Sequence, residues 1–344
     1  MANEPRVSVC IPTYKGVNLV QRALESCCRQ TYPNLEIVVV DDASPDRTVE
    51  IVQAYADRDP RIKLFQNEHN LGAARNFLET FRRATGEFVQ HLGQDDWLEE
   101  THIAEKVAVF QQHPDIAFVA NAITAYVLTA TGEISLVGKT SKRPGFYSLS
   151  EVIDRFYREP GLLGFFCMMR QRDAVEQYLY HIPTAPEYDQ YYEKAMAIDN
   201  ILLLRILNLK RYQQRYYYTD QTSYHTLSHP EHFSGDYGWM KPGDVADRIK
   251  FAHIDRVGYE FFFASQPARH RRRYRIFTGT NVLADVVLDR LLGRTSGQAS
   301  AALKHFFVGY TWLERLMVWF KLPSLLLVRA INGIVRRCRS MTSL

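Results

Sequence analysis

The chain is poor in cysteine, and none of its cysteines stand in C-x-x-C spacing: Cys10, Cys27, Cys28, Cys167 and Cys338 are the five present, an odd number. That argues against a disulfide framework and for buried, inert thiols in a reducing compartment. No long apolar run follows a basic start at the N-terminus, "MANEPRVSVCIPTYKG", so no secretory signal is expected and residence in the cytoplasm is. Nor does the apolar C-terminal region hold an uncharged stretch approaching the roughly 20 residues of a spanning helix. Even "FFVGYTWLERLMVWFKLPSLLLVRAINGIVRR" is broken by Glu314, Arg315, Lys321 and Arg329. Internal repeats and low-complexity tracts are missing too.

What is present is enough apolar material for a sizeable core: 46% of 344 residues, sufficient for two domains or one large α/β domain with an appendage. The formal net charge of +4 is uneven. From Lys304 onward, Lys304, Arg315, Lys321, Arg329, Arg336, Arg337 and Arg339 face Glu314 alone.

Short β-branched runs alternate with helical periodicity over the first two-thirds, the pattern of a largely parallel sheet covered by helices. "RVSVCIP", "EIVVVDD", "RIKLFQ" and "GEFVQHL" read as strands, and "EIVVVDD" is apolar enough to lie mid-sheet. Helices are expected over Leu19 to Cys28, from Ala73 through Phe81, and over "THIAEKVAVFQQ". "DIAFVANAITAYV", a segment around "GFFCMM" and "QRYYYTD" follow as strands, with a helix in "AIDNILLLRILNLKR". Beyond about Ser234 the pattern is helical, which sets a boundary near residue 235: domains 1–235 and 236–344.

Two strands end in an Asp-Asp pair, and in open parallel sheets ligands sit beyond the strands' carboxyl ends. After the first strand, Pro12-Thr13-Tyr14 offers a ring on which a base can stack, or is a plain strand exit. In "VVVDDASPDRT", Ser44 or Asp46 can cap the next helix, and a cap accounts for one acidic group rather than three. Asp41 or Asp42 could accept from uracil N3-H or a ribose hydroxyl. Arg75, in "HNLGAARN", falls in a helix's first turn, where the dipole disfavours a cation unless a phosphate or carboxylate compensates it. Asp95 and Asp96 in "HLGQDDW" repel one another unless a divalent cation joins them. Mg²⁺ or Mn²⁺ takes such oxygens together with substrate phosphates, as a nucleoside diphosphate-sugar would supply. His91 is expected to be packed.

Taken in order and spacing, "VSVCIPTYKG", "EIVVVDDASPDRT", "NLGAARN", "GEFVQHLGQDDW" and "AIDNILLLRIL" resemble the family 2 inverting glycosyltransferases over residues 6 to 235. The resemblance implies an α/β glycosyltransferase A fold, Rossmann-like, with a mostly parallel central sheet and flanking helices, plus the helical C-terminal region. It implies base contacts from Pro12, Thr13, Tyr14 and Asp42, Arg75 near base or phosphate, Asp95 on ribose or metal, and Asp96 on the metal. It further implies Asp199 as base for the acceptor hydroxyl, with Asp189 and Glu187 in reserve, or else as a helix cap. His229 is implied near diphosphate or metal, with His225 and His232 beside it in a loop. Many members carry D-x-D-D, whereas Gly93 here removes the first carboxylate, leaving the metal fewer protein ligands.

The expected function is transfer of a sugar from a UDP-sugar, with Mn²⁺ or Mg²⁺, to a glycan or lipid-linked acceptor of surface polysaccharide synthesis. Two other classes stay in view: a sugar-phosphate nucleotidyltransferase, whose Gly-rich loop is missing from "PTYKGV", and a non-catalytic protein that kept the fold. "RHRRRYR" lacks the reader motifs of a nucleic-acid protein, so no nucleic acid partner is expected. The C-terminal helices read either as an amphipathic layer on the cytoplasmic face of the inner membrane or as a bundle packed on the catalytic domain.

Overall fold

The computed structural model describes residues 4–129, 131–140, 142–155, 167–178 and 198–229, and further on 249, 252, 256, 259–260, 262–264, 266–291, 302–304, 306–307 and 310–341. The chain divides into two compact units, Met1–Ile182 with Met196–Gly238, and Pro183–Ala195 with Trp239–Leu344.

The first unit opens with strict alternation: β1 (Val7–Thr13), α1 (Val20–Cys28), β2 (Leu35–Asp41), α2 (Thr48–Ala56), β3 (Ile62–Gln66), α3 (Ala73–Arg83) and β4 (Phe88–His91). Every residue of β2 is buried, as the unbroken apolar run requires of a strand covered on both faces. Of its two ionisable groups, Glu36 sits at the strands' amino ends and Asp41 at the carboxyl end. Glu36 accepts from Thr85 N–H (2.6 Å), Thr85 Oγ1 (2.9 Å) and Gly86 N–H (3.2 Å), and pairs with Arg6 (2.9 Å). The entry to α3 needs glycine, because Gly72 has φ +84°. Once formed, α3 is pinned by Asn76, whose amide donates to the carbonyls of Thr13 (3.3 Å) and Val40 (3.1 Å). That fixes the first turn of α3 against the ends of β1 and β2.

Then come β5 (Trp97–Leu98), α4 (His102–Gln112), β6 (Phe118–Leu128), β7 (Ile134–Lys139), β8 (Gly145–Ser148), α5 (Leu149–Arg155), β9 (Met168–Arg170), α6 (Gln171–Gln177), α7 (Ile198–Leu207) and β10 (Arg215–Ser228). They complete a ten-stranded sheet in the order β3-β2-β1-β4-β9-β6-β10-β5, with β7 on β6 and β8 on β10. Strands β3, β2, β1 and β4 run parallel, as do β6 and β10, while β9 lies antiparallel between the two groups. The expected sheet with flanking helices is therefore present.

One expectation needs correction. His225, expected in a loop, lies instead in a strand: Tyr224 to Ser228 continue β10, in register with Ile123 to Val127 of β6. A register shift between Thr219 and Tyr224 breaks the alternation that would have marked one long strand.

In the second unit, α8 (Ala268–Leu291) and α9 (Trp312–Met341) pack through Val282, Leu283 and Val286 against Val318 and Leu322, with Phe306 and Tyr310. Gly279 permits the close approach, since a Cβ there would lie 2.9 Å from Val318 Cγ2.

Candidate active site

The sheet's order turns back between β1 and β4, the place where parallel α/β sheets leave a crevice beyond their carboxyl ends. Three loops meet there. The β1 exit is sewn to the β2 exit: Lys15 N–H donates to Ser44 Oγ (3.0 Å), Gly16 N–H to Thr48 Oγ1 (2.8 Å) and Asp42 N–H to Thr13 O (2.9 Å). Lys15 and Ala43 both hold positive φ (51° and 55°), backbone strain gathered at this rim.

Asp41, fully buried, accepts from Ser44 N–H (2.9 Å), Ser44 Oγ (2.6 Å) and Thr13 Oγ1 (3.2 Å). Neither expected cap is the N-cap of α2, which is Arg47; Asp46, one residue earlier, accepts from Thr48 N–H (3.1 Å). Asp42, also buried, accepts from Asn67 Nδ2 (2.8 Å), Leu71 N–H (2.8 Å) and Gly72 N–H (3.0 Å), so its carboxylate shapes the loop that launches α3 and Arg75. Arg75 is half-buried in that helix's first turn.

The third loop is the acidic turn after β4, and the two carboxylates face different partners. Asp96, 7% exposed, accepts from Tyr224 Oη (2.9 Å) through Oδ2 and from Leu227 N–H (3.1 Å) through Oδ1. Asp95 instead turns toward His229, with Oδ2 3.2 Å from Nε2. Burial first, and then the charge of Asp95, push the Asp96 carboxyl well above the ordinary carboxylate range. Burial also raises the Tyr224 phenol, with the neighbouring Asp96 charge adding to it. Proximity to a divalent ion would reverse the sign of this effect on the acids. Gly93 lies against both: a Cβ there would sit 2.7 Å from Asp95 Oδ1 and 2.8 Å from Asp96 Oδ2.

Sequence reasoning missed the residue between Gly93 and Asp95. Gln94 Oε1 accepts from Tyr14 N–H (3.1 Å) while Nε2 donates to Tyr14 O (3.0 Å), a two-point clasp between the acidic turn and the β1 exit. A side chain at Gly16 would collide with the same amide oxygen. Tyr14 is left 38% exposed, with Lys15 Nζ 5.3 Å from its ring centre. No sequence pattern marks a lone loop glutamine for such a role. Asn76 and Tyr224 did have a signal, each being polar in an otherwise core-facing position.

Behind the turn lies a buried polar network. His102 reaches Ser223 Oγ (2.8 Å) and Gln90 Oε1 (3.1 Å), and Lys106 Nζ donates to that same oxygen (2.8 Å). Burial lowers the Lys106 ammonium to about 7 and takes His102 well below its ordinary value. His91 is packed on Phe77 (centroids 4.2 Å apart), and burial lowers it to about 3. His225 is engaged by Glu99 (2.6 Å) and stacked on Trp97 (5.0 Å).

The structure thus brings together Pro12, Thr13, Tyr14, Asp42, Arg75, Asp95, Asp96 and His229 around one rim. Asp199 falls in the first turn of α7, with its side chain outside the described residues; Glu187, Asp189 and His232 lie outside them as well.

Residues 8–179, half of the chain, match the family described as glycosyl transferase family 2, and the chain belongs to that family. Among curated relatives, an uncharacterized glycosyltransferase of Haemophilus influenzae is 31% identical over 113 residues, 32% of this chain and 44% of its own. TuaG of Bacillus subtilis, a glycosyltransferase provisionally ascribed to teichuronic acid biosynthesis, is 34% identical over 127 residues, 37% of this chain and 49% of its own. The matches thus span less than half of these relatives' length. Among solved structures, S. aureus TarS 1-349 in complex with UDP-GlcNAc superposes with TM-score 0.64 at 19% identity, covering 93% of this chain and 86% of that one. The mannosyltransferase PcManGT from Pyrobaculum calidifontis, in complex with GDP-Man and Mn²⁺, gives TM-score 0.51 at 18% identity, over 97% and 88%. At these identities the likeness is one of fold.

Proposed function

We propose that this protein transfers a sugar from a nucleoside diphosphate-sugar to an acceptor hydroxyl, with inversion, by a single in-line displacement. The observation carrying the reading is the approach of His229 Nε2 to Asp95 Oδ2, 3.2 Å, at the rim where the β1, β2 and β4 exits meet. The carboxylate oxygen suits either Mn²⁺ or Mg²⁺, and an imidazole nitrogen beside it favours the transition ion Mn²⁺ over Mg²⁺. Among the described residues no group of three His, Cys, Asp or Glu side chains forms a complete cage, so the rest of the ligands would be diphosphate oxygens and water. A bound divalent ion would offset the negative charge that grows on the departing diphosphate.

The chain's own groups divide the remaining work. Tyr14 offers its ring to the base, held at its height by Gln94. Asp42 accepts from base or ribose while fixing the α3 entry, and Arg75 meets the phosphates. Asp96 holds the acidic turn on β10 and so aims Asp95. Asp199, at the start of α7, takes the proton from the attacking hydroxyl. A UDP-sugar is favoured as donor by the likeness in fold to TarS, whose complexes hold UDP-GlcNAc. A part in polysaccharide synthesis is favoured by relatives such as TuaG, named for teichuronic acid biosynthesis.

The test is nucleotide release from a panel of nucleotide-sugars with and without Mn²⁺, together with melting of the wild type and Asp95→Asn in UDP and Mn²⁺. At a hundredfold excess over Kd, a ligand confined to the folded state adds about 2.7 kcal/mol. Wild type should gain this only when metal and nucleotide are both present, and Asp95→Asn should lose it. Pyrophosphate as product would instead mark a nucleotidyltransferase, and silence with every donor a non-catalytic binding protein. The anomeric configuration of the product, read by NMR, tests inversion.

A further inference from the structure

The second unit carries a surface that the proposed sugar transfer does not use. On α9, Trp312, Leu313, Trp319 and Phe320 are 75%, 42%, 60% and 76% exposed. Spaced by seven residues in pairs, they form one stripe along two turns of helix. The opposite stripe of α9, with Val318 and Leu322, is already buried against α8, so the exposed row is additional to what the core of the unit needs. Cations surround it. Arg315 and Lys321 are exposed on the same helix, and Arg272 of α8 reaches Met317 of α9 (3.8 Å to Sδ). The sole acidic residue of α9, Glu314, is 5% exposed and turned to Arg275 (3.5 Å). A cavity of about 390 Å³ in the same unit is lined by Leu283, Leu303, Phe307 and Trp319 together with Lys304 and Arg315, an apolar space with two positive charges.

We infer that this face of α9 docks on a bilayer bearing anionic phospholipid, with the Trp312–Phe320 stripe in the interface and the cations among the headgroups. Tryptophan and phenylalanine exposed beside lysine and arginine, with no exposed acid on the helix, complement an anionic apolar boundary on both counts. A polyanion such as RNA would answer the charge and leave the rings in water. A second copy would place cations against cations. Among the described residues no helix is long and apolar enough to cross a membrane, so the contact is one of lying on the surface.

The experiment is flotation of the full chain with vesicles of phosphatidylcholine alone and with an even mixture of phosphatidylcholine and phosphatidylglycerol. Wild type should float with the mixed vesicles and stay down with the neutral ones. Trp319→Ser with Phe320→Ser removes two large interfacial side chains, each worth about tenfold or more when buried, so partitioning should fall roughly a hundredfold. Lys304→Glu with Lys321→Glu should abolish the preference for the anionic mixture. Both variants alter residues remote in sequence from the acidic turn, and unchanged melting establishes that they are folded. The inference is overturned if wild type does not float, if neutral and anionic vesicles bind it equally, or if folded variants float as wild type does. It is also overturned if light scattering shows a dimer that the Trp319/Phe320 variant dissolves.

Discussion

Gly93 occupies the position where many family 2 sequences carry an additional carboxylate, and the acidic turn has closed over the vacancy. A Cβ at residue 93 would stand 2.7 Å from Asp95 Oδ1, 2.8 Å from Asp96 Oδ2 and 3.2 Å from Asp96 Cγ. Asp95, partly exposed beside His229, can swing aside. Asp96 cannot, because Tyr224 and Leu227 hold its two oxygens inside the fold. Gly93→Ala therefore costs overpacking of about 1–3 kcal/mol and weakens a hydrogen bond to a carboxylate worth about 1.5–3 kcal/mol. A net loss of roughly 2–4 kcal/mol is expected, and at about 2–4 °C per kcal/mol the melting temperature should drop by about 4–16 °C. Gly93→Asp should destabilise at least as much, with a third negative charge, and should not tighten Mn²⁺ binding. The assay is thermal melting of wild type and both variants across a Mn²⁺ titration with UDP present. If Gly93→Asp melts with wild type and binds Mn²⁺ more tightly, the turn is open to a further carboxylate and the argument from crowding is wrong.

Other expectations concern neighbouring groups. Gln94→Ala releases Tyr14 from its two-point clasp, so KM for the donor should rise roughly tenfold with kcat little altered; an unchanged KM would show that the clasp does not matter for the nucleotide. Asp199→Asn should lower kcat by about 10²–10⁴-fold while nucleotide binding persists, measured by single-turnover transfer and by titration with UDP. Lys106 supplies a pH test. Burial lowers its ammonium to about 7 in the folded protein, while the unfolded chain keeps the proton up to about 10.5. The unfolded state thus binds more protons between these values, and wild-type stability relative to Lys106→Met should rise by about 2 kcal/mol from pH 7 to pH 9. Parallel urea-unfolding curves for the two proteins at both pH values would refute it. Removing Glu36 should matter at the other end of the sheet. Burial works against its charge, but donors from Ser8 and Thr85 and the charge of Arg6 outweigh it and lower the carboxyl below its ordinary value. Its stabilising contribution is therefore present above the unfolded carboxylate pKa and lost as pH falls through the lower folded one. Glu36→Gln should be less stable at pH 7, with the gap to wild type narrowing in acid.

The parts of the fold that were legible from residues alone are those whose environment is uniform. Strands β1, β2 and β4 are buried almost throughout and announce themselves as largely apolar runs, and α3 shows its stripe because one side meets the sheet. The hairpin strand β7 is exposed along nearly its whole length, so neither burial nor alternation wrote it into the sequence. Trp97–Leu98 is too short to carry any period. In β10 the register shift after Thr219 hid the continuity of the strand, and polar Ser223, His225 and Ser228 looked like loop. At the rim, the Asp pairs and the ill-placed Arg75 were visible because each contradicts a local preference for charge. The partnership of Asp95 with His229 came only through family resemblance: the two are far apart in sequence, and nothing local relates them. Gln94 was invisible, its partners being backbone atoms that any residue would present.

The long reach of β10 has a consequence for the birth of the protein. Asp96 waits for Tyr224 and Leu227, and Asp95 for His229, so a chain emerging from the ribosome displays its acidic turn, with both acids still in water, for more than a hundred residues of synthesis. Loop closure over that span is slow as well as late. A nascent chain lacking its last sheet strand can bury hydrophobic strands but cannot seat its acidic turn. The setting of the acidic turn is thereby timed to the completion of β10.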